Sequence, residues 1–212
     1  MHDIIIPQII AGLALVFTLA AFGWRLKAFN SLARPIDLAP ARGSIKQGLL
    51  YAYTSGMAPW AKESTRRHWL SYLRGVFFHI GIFLGLGILV ISPWLSLFPN
   101  WLRIFLSAGA GSGALLGLAG FIARFIDPNL KALSTPDDYF AVLVVSIFLA
   151  TACLGLSVLA TLPIFYIISA FMLIYAPFSK IRHCIYFAYS RLFFGRFTGI
   201  RGVLPHQQQV LR

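Results

Sequence analysis

Long apolar runs without charge constrain this chain more than any other feature of its sequence. Four stretches of roughly 18 residues or more carry almost no charged side chain, and a fifth, 164–178, reaches that length with its flanks. These runs lack the polar and apolar alternation of barrel strands. Because the bilayer core offers backbone amides no hydrogen-bond partner, the segments must be helical. We therefore predict an all-α membrane protein, a single domain built as a bundle of five transmembrane helices.

The composition agrees with a membrane location. Of the 212 residues, 58% are hydrophobic and 11% are charged, and the mean hydropathy of +0.78 is far above that of soluble domains. The predicted spans cover residues 4–24, 75–97, 102–126, 137–160 and 164–181, with a cytoplasmic segment at 25–74 and a cytoplasmic tail at 184–212. Within the segment 25–74, residues 44–57 have helix-like apolar spacing. This spacing favours a short helix that lies on the membrane or holds a soluble partner.

Glycines recur at four-residue intervals in two neighbouring spans. Gly81 and Gly85 lie in the second span, and Gly109, Gly113 and Gly117 lie in the third. Small residues at this spacing let helix backbones approach closely inside a membrane. The pattern predicts a compact bundle and carries no information about chemistry.

The distribution of basic residues predicts the orientation. Of the 18 Lys and Arg residues, 17 flank the same side of the spans, and Arg103 is alone on the other side. Because cationic segments stay in the cytoplasm, we expect a multi-pass protein of the cell inner (cytoplasmic) membrane with its N-terminus outside and its C-terminus inside.

The first span lacks a preceding Lys or Arg, which argues against a cleaved signal peptide. Orientation and anionic membrane lipid explain the net charge of +12, so no nucleic-acid partner is expected.

Cysteines and carboxylates give no sign of a catalytic centre. Cys153 and Cys184 form no CxxC or CxxCH pattern, which argues against zinc, an iron–sulfur cluster and covalent c-type haem. The segment TPDD at 135–138 is typical of a helix start, with a capping Thr, a Pro at the first position and acids near the positive end of the helix dipole. A catalytic carboxylate pair is the alternative interpretation. We predict no catalytic residue, because the cap explains all four positions.

Two of the five histidines lie in or beside predicted spans. His79 falls in GVFFHIGIFLGLG, about 4 residues or ~6 Å inside the second span, and His183 ends PFSKIRH after the fifth. Since these two helices run in opposite directions, both imidazoles reach similar depths, as the axial ligands of a haem iron do. Two separate polar histidines at a membrane interface explain the same spacing. Aromatic residues near both positions would supply apolar walls (Phe77, Phe78, Phe83, Phe171 and Tyr175).

Four segments resemble one family of membrane proteins. These are FHIGI at 78–82, AGAGSGALLGLAG at 108–120, TPDDYFAVLVVSIFLATACLGL at 135–156 and PFSKIRH at 177–183. With their order along five spans they are similar to the cytochrome b (gamma) subunit of respiratory nitrate reductase, and to related membrane subunits of heterodisulfide-reductase-like and sulfate-reducer electron-transfer complexes. The resemblance covers residues 75–201. It implies an electron-transfer subunit of an oxidoreductase complex rather than a stand-alone enzyme.

The resemblance also implies which residues hold the cofactor. His79 and His183 would ligate the iron of one haem b between them. In that family a second haem is held by histidines that align here with Leu89 and Phe165, which cannot bind iron, so one haem is expected. The family's quinone site lies on the side of that second haem, and its residues cannot be transferred to this chain.

Cations cluster at the depth of the two histidines, where a haem propionate or an acidic partner would otherwise be unpaired. They are Arg66, Arg67, Arg74, Lys180 and Arg182, and Arg74 and Arg182 are predicted to bind the cofactor. The expected partners are a cytoplasmic iron–sulfur subunit, membrane lipid, quinone, and other membrane or periplasmic cytochrome subunits. A haem-free membrane anchor or a small transporter subunit is the alternative from another functional class, and a haem absorption band separates the two.

Overall fold

The computed structural model describes residues 2–32, 39–61 and 63–204, and these residues form helices and turns without a β-strand. The helices in this part of the chain are α1 (His2–Asn30), α2 (Ile45–Tyr53), α3 (Glu63–Arg67), α4 (Trp69–Ile91), α5 (Asn100–Ile126), α6 (Pro128–Leu133), α7 (Pro136–Ser157), α8 (Leu162–Tyr175) and α9 (His183–Arg201). Short 3-10 turns lie at Ser55–Met57, Pro59–Ala61, Ser92–Leu97, Leu159–Thr161, Ala176–Phe178 and Lys180–Arg182.

Five helical segments of the described residues are long and apolar enough to cross a membrane. They are Ile4–Asn30, Trp69–Leu97, Asn100–Ile126, Pro136–Ser157 and Leu159–Phe178. Large apolar side chains cover much of their outer surface, as expected for helices solvated by lipid. The prediction of an all-α chain with five apolar helices of membrane-spanning length is confirmed, and the protein is a multi-pass membrane protein.

The helix ends differ from the predicted spans at several places. Helix α4 begins at Trp69 rather than at residue 75, so His79 lies ten residues after the start of the helix rather than about four. Helix α1 continues past residue 24 to Asn30, and its last turn contains Lys27, a cation that the negative end of the helix dipole favours. The α-helical part of the fifth span ends at Tyr175 rather than near residue 181. Pro177 follows it, and a proline cannot donate the N–H that would continue the helix.

The chain divides into two compact units. Unit 1 contains Met1–Gly23 and Leu73–Ile181, and unit 2 contains Trp24–Tyr72 and Arg182–Arg212. Helix α7 is the most deeply buried of the five apolar spans, with more than half of its span buried. Phe148 of α7 and Phe165 of α8 are fully buried and stack with their ring centroids 5.7 Å apart.

The predicted glycine contacts occur between α4 and α5 in unit 1. A Cβ added to Gly81 would lie 2.8 Å from the Cα of Gly113, which is closer than real Cβ contacts allow. A Cβ on Gly85 would meet the rings and methyl groups of α7, at 2.7 Å from Phe148. The missing side chains therefore let these helices touch backbone to backbone, the contact that drives helix association in lipid.

Helix α1 is tied to α8 by a buried threonine. Thr18 is 4% exposed, and its hydroxyl donates to the carbonyl of Leu173 at 2.7 Å while lying 2.8 Å from the carbonyl of Ala14 in its own helix. The neighbouring residue, Phe17, stacks on Phe178 with ring centroids 6.3 Å apart. The rest of α1 is largely surrounded by lipid, because its outer face carries exposed isoleucines and leucines.

Unit 2 is held together by glycines on two helices far apart in sequence. Helix α2 lies inside the predicted helical stretch 44–57, and it packs on α9, which the predicted tail at 184–212 did not anticipate. A Cβ on Gly48 would collide with the carbonyl of Gly195 and lie 2.5 Å from the Cα of Gly199. Helix α9 ends at Gly202, whose positive φ of 64° forms a left-handed C-cap.

Candidate functional site

The four predicted cofactor residues belong to different units. Arg74 and His79 lie in unit 1, whereas Arg182 and His183 lie in unit 2. The pairing of His79 with His183 stays a prediction. The surroundings of each residue are described below on its own helix.

His79 lies on the exposed side of α4, which it shares with Phe83 and Val90 one and three turns further along. Its Nδ1 lies 2.7 Å from the carbonyl oxygen of Gly75, one turn earlier in the helix. A carbonyl accepts hydrogen bonds and cannot donate, so this Nδ1 carries the proton and Nε2 is the basic nitrogen. Metal-binding histidines usually show this arrangement, with the second ring nitrogen donating to a carbonyl or carboxylate.

Aromatic side chains surround this position along α4. Phe77 and Phe83 are 53% and 71% exposed, so they face the apolar surroundings of the helix. Phe78 instead turns inward and packs against the core of unit 1. On α8, Phe171 and Tyr175 stack almost parallel, with ring centroids 6.5 Å apart. The imidazole of His79 therefore projects from an apolar, aromatic stretch of helix.

Arg74 is half-buried, more than one turn before His79. Its guanidinium packs against Gly120 of α5, where an added Cβ would lie 3.6 Å from the Arg74 Nε. Among the described residues, no carboxylate lies within ion-pair distance of this cation. Arg74 is thus a cation at the edge of the apolar stretch that carries His79, and an anionic group would stabilise it.

Arg182 and His183 open helix α9 in unit 2. Arg182 is the N-cap residue, and His183 is the first residue of the helix. Both side chains are exposed. The first turn of a helix leaves backbone N–H groups without intrahelical partners and carries the positive end of the dipole. This position favours an anionic group, in line with the predicted role of Arg182.

Two of the predicted cations have acidic partners within the chain. The Nζ of Lys180 lies 2.6 Å from a carboxylate oxygen of Asp138, and its predicted contact with a propionate or partner stays a prediction. Arg67 pairs with Glu63 at 2.5 Å on an exposed helix face.

The segment 135–138 caps α7, as predicted, and also binds the end of the fifth span. Asp138 accepts hydrogen bonds from the backbone N–H of Thr135 at 2.7 Å and from Lys180. Asp137 accepts from the backbone N–H of Lys180 at 2.7 Å and from the hydroxyl of Tyr175. These two carboxylates thus stabilise the start of α7 and connect it to residues 175 and 180. The sequence reasoning missed their contacts with Tyr175 and Lys180, which lie about 40 residues away along the chain.

The two positions that align with the family's second pair of histidines lie in the core of unit 1. Leu89 is 7% exposed, and Phe165 is fully buried against Phe148. Both side chains pack among other apolar groups of the same unit.

Within the described residues, His, Cys, Asp and Glu side chains form no group of three or more that could hold a metal ion. A haem with two axial histidines needs no such group. Comparisons with protein-family models, curated proteins and solved structures find no match for this chain. The candidate site therefore rests on His79 and His183, on their local surroundings and on the motifs in which they occur.

Proposed function

We propose that this protein is the haem b membrane subunit of a respiratory oxidoreductase complex, which relays electrons between the quinone (menaquinone) pool and a cytoplasmic iron–sulfur subunit. The observation that carries the proposal is the imidazole of His79. Its Nδ1 proton is held by the Gly75 carbonyl, which makes Nε2 the ligand atom, and its helix is apolar and long enough to span a membrane.

Each residue of the proposed site has a distinct task. His79 and His183 would hold the haem iron, and Arg74 and Arg182 would balance the charge of the propionates. When bound, haem b accepts and donates single electrons, so the chain itself needs no catalytic acid or base. The apolar aromatic side chains along α4 exclude water from the ligand position.

The partner and the orientation follow from charge. We place the N-terminus outside and the C-terminus in the cytoplasm of a bacterial-type inner membrane, because 17 of 18 Lys and Arg residues flank one side of the spans. Cations on that side suit an acidic docking surface on an iron–sulfur subunit. A reporter enzyme fused after residue 212 tests the orientation. Activity of a cytoplasmic reporter is expected, and activity of a periplasm-specific reporter would reverse the topology.

An absorption spectrum of the purified full-length protein tests the proposal directly. A reduced haem b band with a haem-to-protein ratio near one is expected, and His79→Ala or His183→Ala should remove it. His68→Ala is the matched control, because His68 is also an exposed histidine but lies outside the proposed ligand pair. A colourless wild-type protein that melts cooperatively would support a haem-free anchor or transporter subunit. A ratio near two would show a second ligand pair.

A further inference from the structure

A polar groove lies in unit 1 beside the start of α5 and the end of α7. Its volume is about 350 Å³, and it is lined by Asn100, Arg103, Ile104, Ser107, Ala108, Leu156 and Ser157. None of these residues takes part in the proposed electron-transfer site. Arg103 is also the cation that the orientation argument left alone on its side of the spans.

The guanidinium of Arg103 is fixed in this groove but incompletely satisfied. Its Nη2 donates to the backbone carbonyl of Leu156 at 3.1 Å. Its Nε is buried and has no hydrogen-bond partner. No carboxylate of the described residues lies within ion-pair distance. Because this cation lacks a carboxylate partner there, the groove favours an anionic group from outside the protein.

The neighbouring side chains supply polar walls without negative charge. The hydroxyls of Ser107 and Ser157 lie 2.9 Å apart, and both donate to the carbonyl of Cys153, at 3.0 and 2.9 Å. These contacts hold both hydroxyls in place. The exposed amide of Asn100 provides two further N–H donors at the mouth. The groove therefore combines one cation, fixed hydroxyls and an amide.

The surroundings of the groove match the membrane interface. Trp94, in the turn between α4 and α5, and Trp101, in the first turn of α5, are both exposed, and tryptophans concentrate at the level of lipid headgroups. From the groove, Ile104, Ala108 and Leu115 continue along one exposed side of α5. A ligand with its head at Arg103 would therefore have an apolar path for its tail.

We propose that this groove binds the phosphate group of an anionic membrane phospholipid. The planar guanidinium of Arg103 offers parallel N–H donors that match two phosphate oxygens. The acyl chains would lie on Ile104 and Ala108. Inorganic phosphate carries the same oxygens but no apolar tail, so the two sources of the ligand differ in how strongly the groove retains them.

The test compares three probes on the full-length protein in a neutral detergent. Phosphatidylglycerol, diacylglycerol with the same acyl chains, and inorganic phosphate are titrated while native mass spectrometry counts bound molecules and a thermal melt records stabilisation. Phosphatidylglycerol should bind and raise the melting temperature. Diacylglycerol and inorganic phosphate should do neither at the same concentration, because each provides half of the required chemistry.

Three variants test whether Arg103 binds the phosphate group. Arg103→Gln should weaken phosphatidylglycerol binding roughly tenfold or more, since charge-assisted hydrogen bonds are lost. Lys131→Gln removes an exposed cation of the same unit outside the groove and should bind like wild type. Arg103→Lys is the charge-conserving control, in case Arg103→Gln does not fold. It should prefer phosphatidylglycerol to diacylglycerol and bind more weakly than wild type.

Three results would overturn the proposal. They are equal binding of phosphatidylglycerol and diacylglycerol to the wild type, unchanged binding by a folded Arg103→Gln, and no preference in Arg103→Lys. Saturation by inorganic phosphate at concentrations that match phosphatidylglycerol would exclude the lipid as the source and assign the site to a free anion.

Discussion

Unit 1 contains five Lys and Arg residues against four Asp and Glu, whereas unit 2 contains thirteen against two. Almost the whole net charge of +12 therefore belongs to the smaller unit. Unit 1 is adapted to lipid, where a charge needs a partner such as the pair of Asp138 and Lys180. Unit 2 carries most of the cations, which water and lipid headgroups can solvate.

The two units also reach close packing in opposite ways. The core of unit 1 is filled by bulky side chains, with Phe148, Phe165 and Tyr166 almost completely buried. The seam of unit 2 is made by the absence of side chains, at Gly48 and Gly199. The stability of unit 1 therefore depends on large side chains that fill its core, and that of unit 2 depends on glycines whose lack of a side chain lets two helices approach. Substitutions that shrink or enlarge a side chain should therefore damage different units.

The largest effect is expected from removing volume in unit 1. Phe165→Ala should lower the free energy of unfolding by about 3 kcal/mol, because it leaves a cavity against Phe148. Phe83→Ala is the matched control: this ring is 71% exposed and faces lipid, so its loss should cost little. Denaturant titration in detergent, followed by circular dichroism, measures both. Equal costs for the two variants would show that the core of unit 1 is not the source of its stability.

A smaller effect is expected from adding volume in unit 2. Gly48→Ala should destabilise the protein by about 2 kcal/mol, because the new methyl group must displace the backbone of α9. Ala is the better helix former, so this loss occurs despite a gain in propensity. Gly87→Ala on α4 is the control, since nothing lies within 4 Å of its added Cβ, and it should leave stability unchanged or raised. Protease digestion of the α2 segment reports the difference, and a Gly48→Ala protein as resistant as wild type would refute the tight seam.

The smallest effect concerns how each unit uses an ion pair. Asp138→Asn should cost about 1 kcal/mol, because the cap of α7 weakens and the pair with Lys180 is lost. Glu63→Gln should have almost no effect, since the side chains of its pair with Arg67 are 73% and 65% exposed. Thermal melts in detergent compare the two. A larger cost for Glu63→Gln would contradict the contrast between the two ion pairs.

Local patterns allowed much of unit 1 to be predicted. Apolar runs identified the five spans, the segment 135–138 identified the start of α7, and glycine spacing identified the approach of Gly81 to Gly113. In each case the determining residues are neighbours in sequence or lie on one helix. The bond from His79 to Gly75 has the same character, because residues four apart face each other on a helix.

Long-range pairing explains what the sequence did not reveal. Helix α9 contains arginines among its apolar residues, and its buried positions include Gly195, Thr198 and Gly199, which give no hydrophobic signal. Its partner α2 lies more than a hundred residues earlier, so the fit at Gly48 has no local signature. The repeat of glycine at 195 and 199 was the available hint. The groove at Arg103 was missed for a similar reason, because α7 completes it from another part of the chain.

The threonine that joins α1 to α8 has a consequence for biogenesis. During synthesis α1 emerges from the ribosome before the four spans that follow it here, while the carbonyl of Leu173 belongs to the last of these. Thr18 therefore enters the bilayer with its hydroxyl turned back to Ala14 of its own helix, and it makes the second contact after the fifth span has been inserted. Helix α1 therefore makes this hydrogen bond only late in synthesis, and a ribosome stalled before residue 173 would leave α1 in the membrane without it.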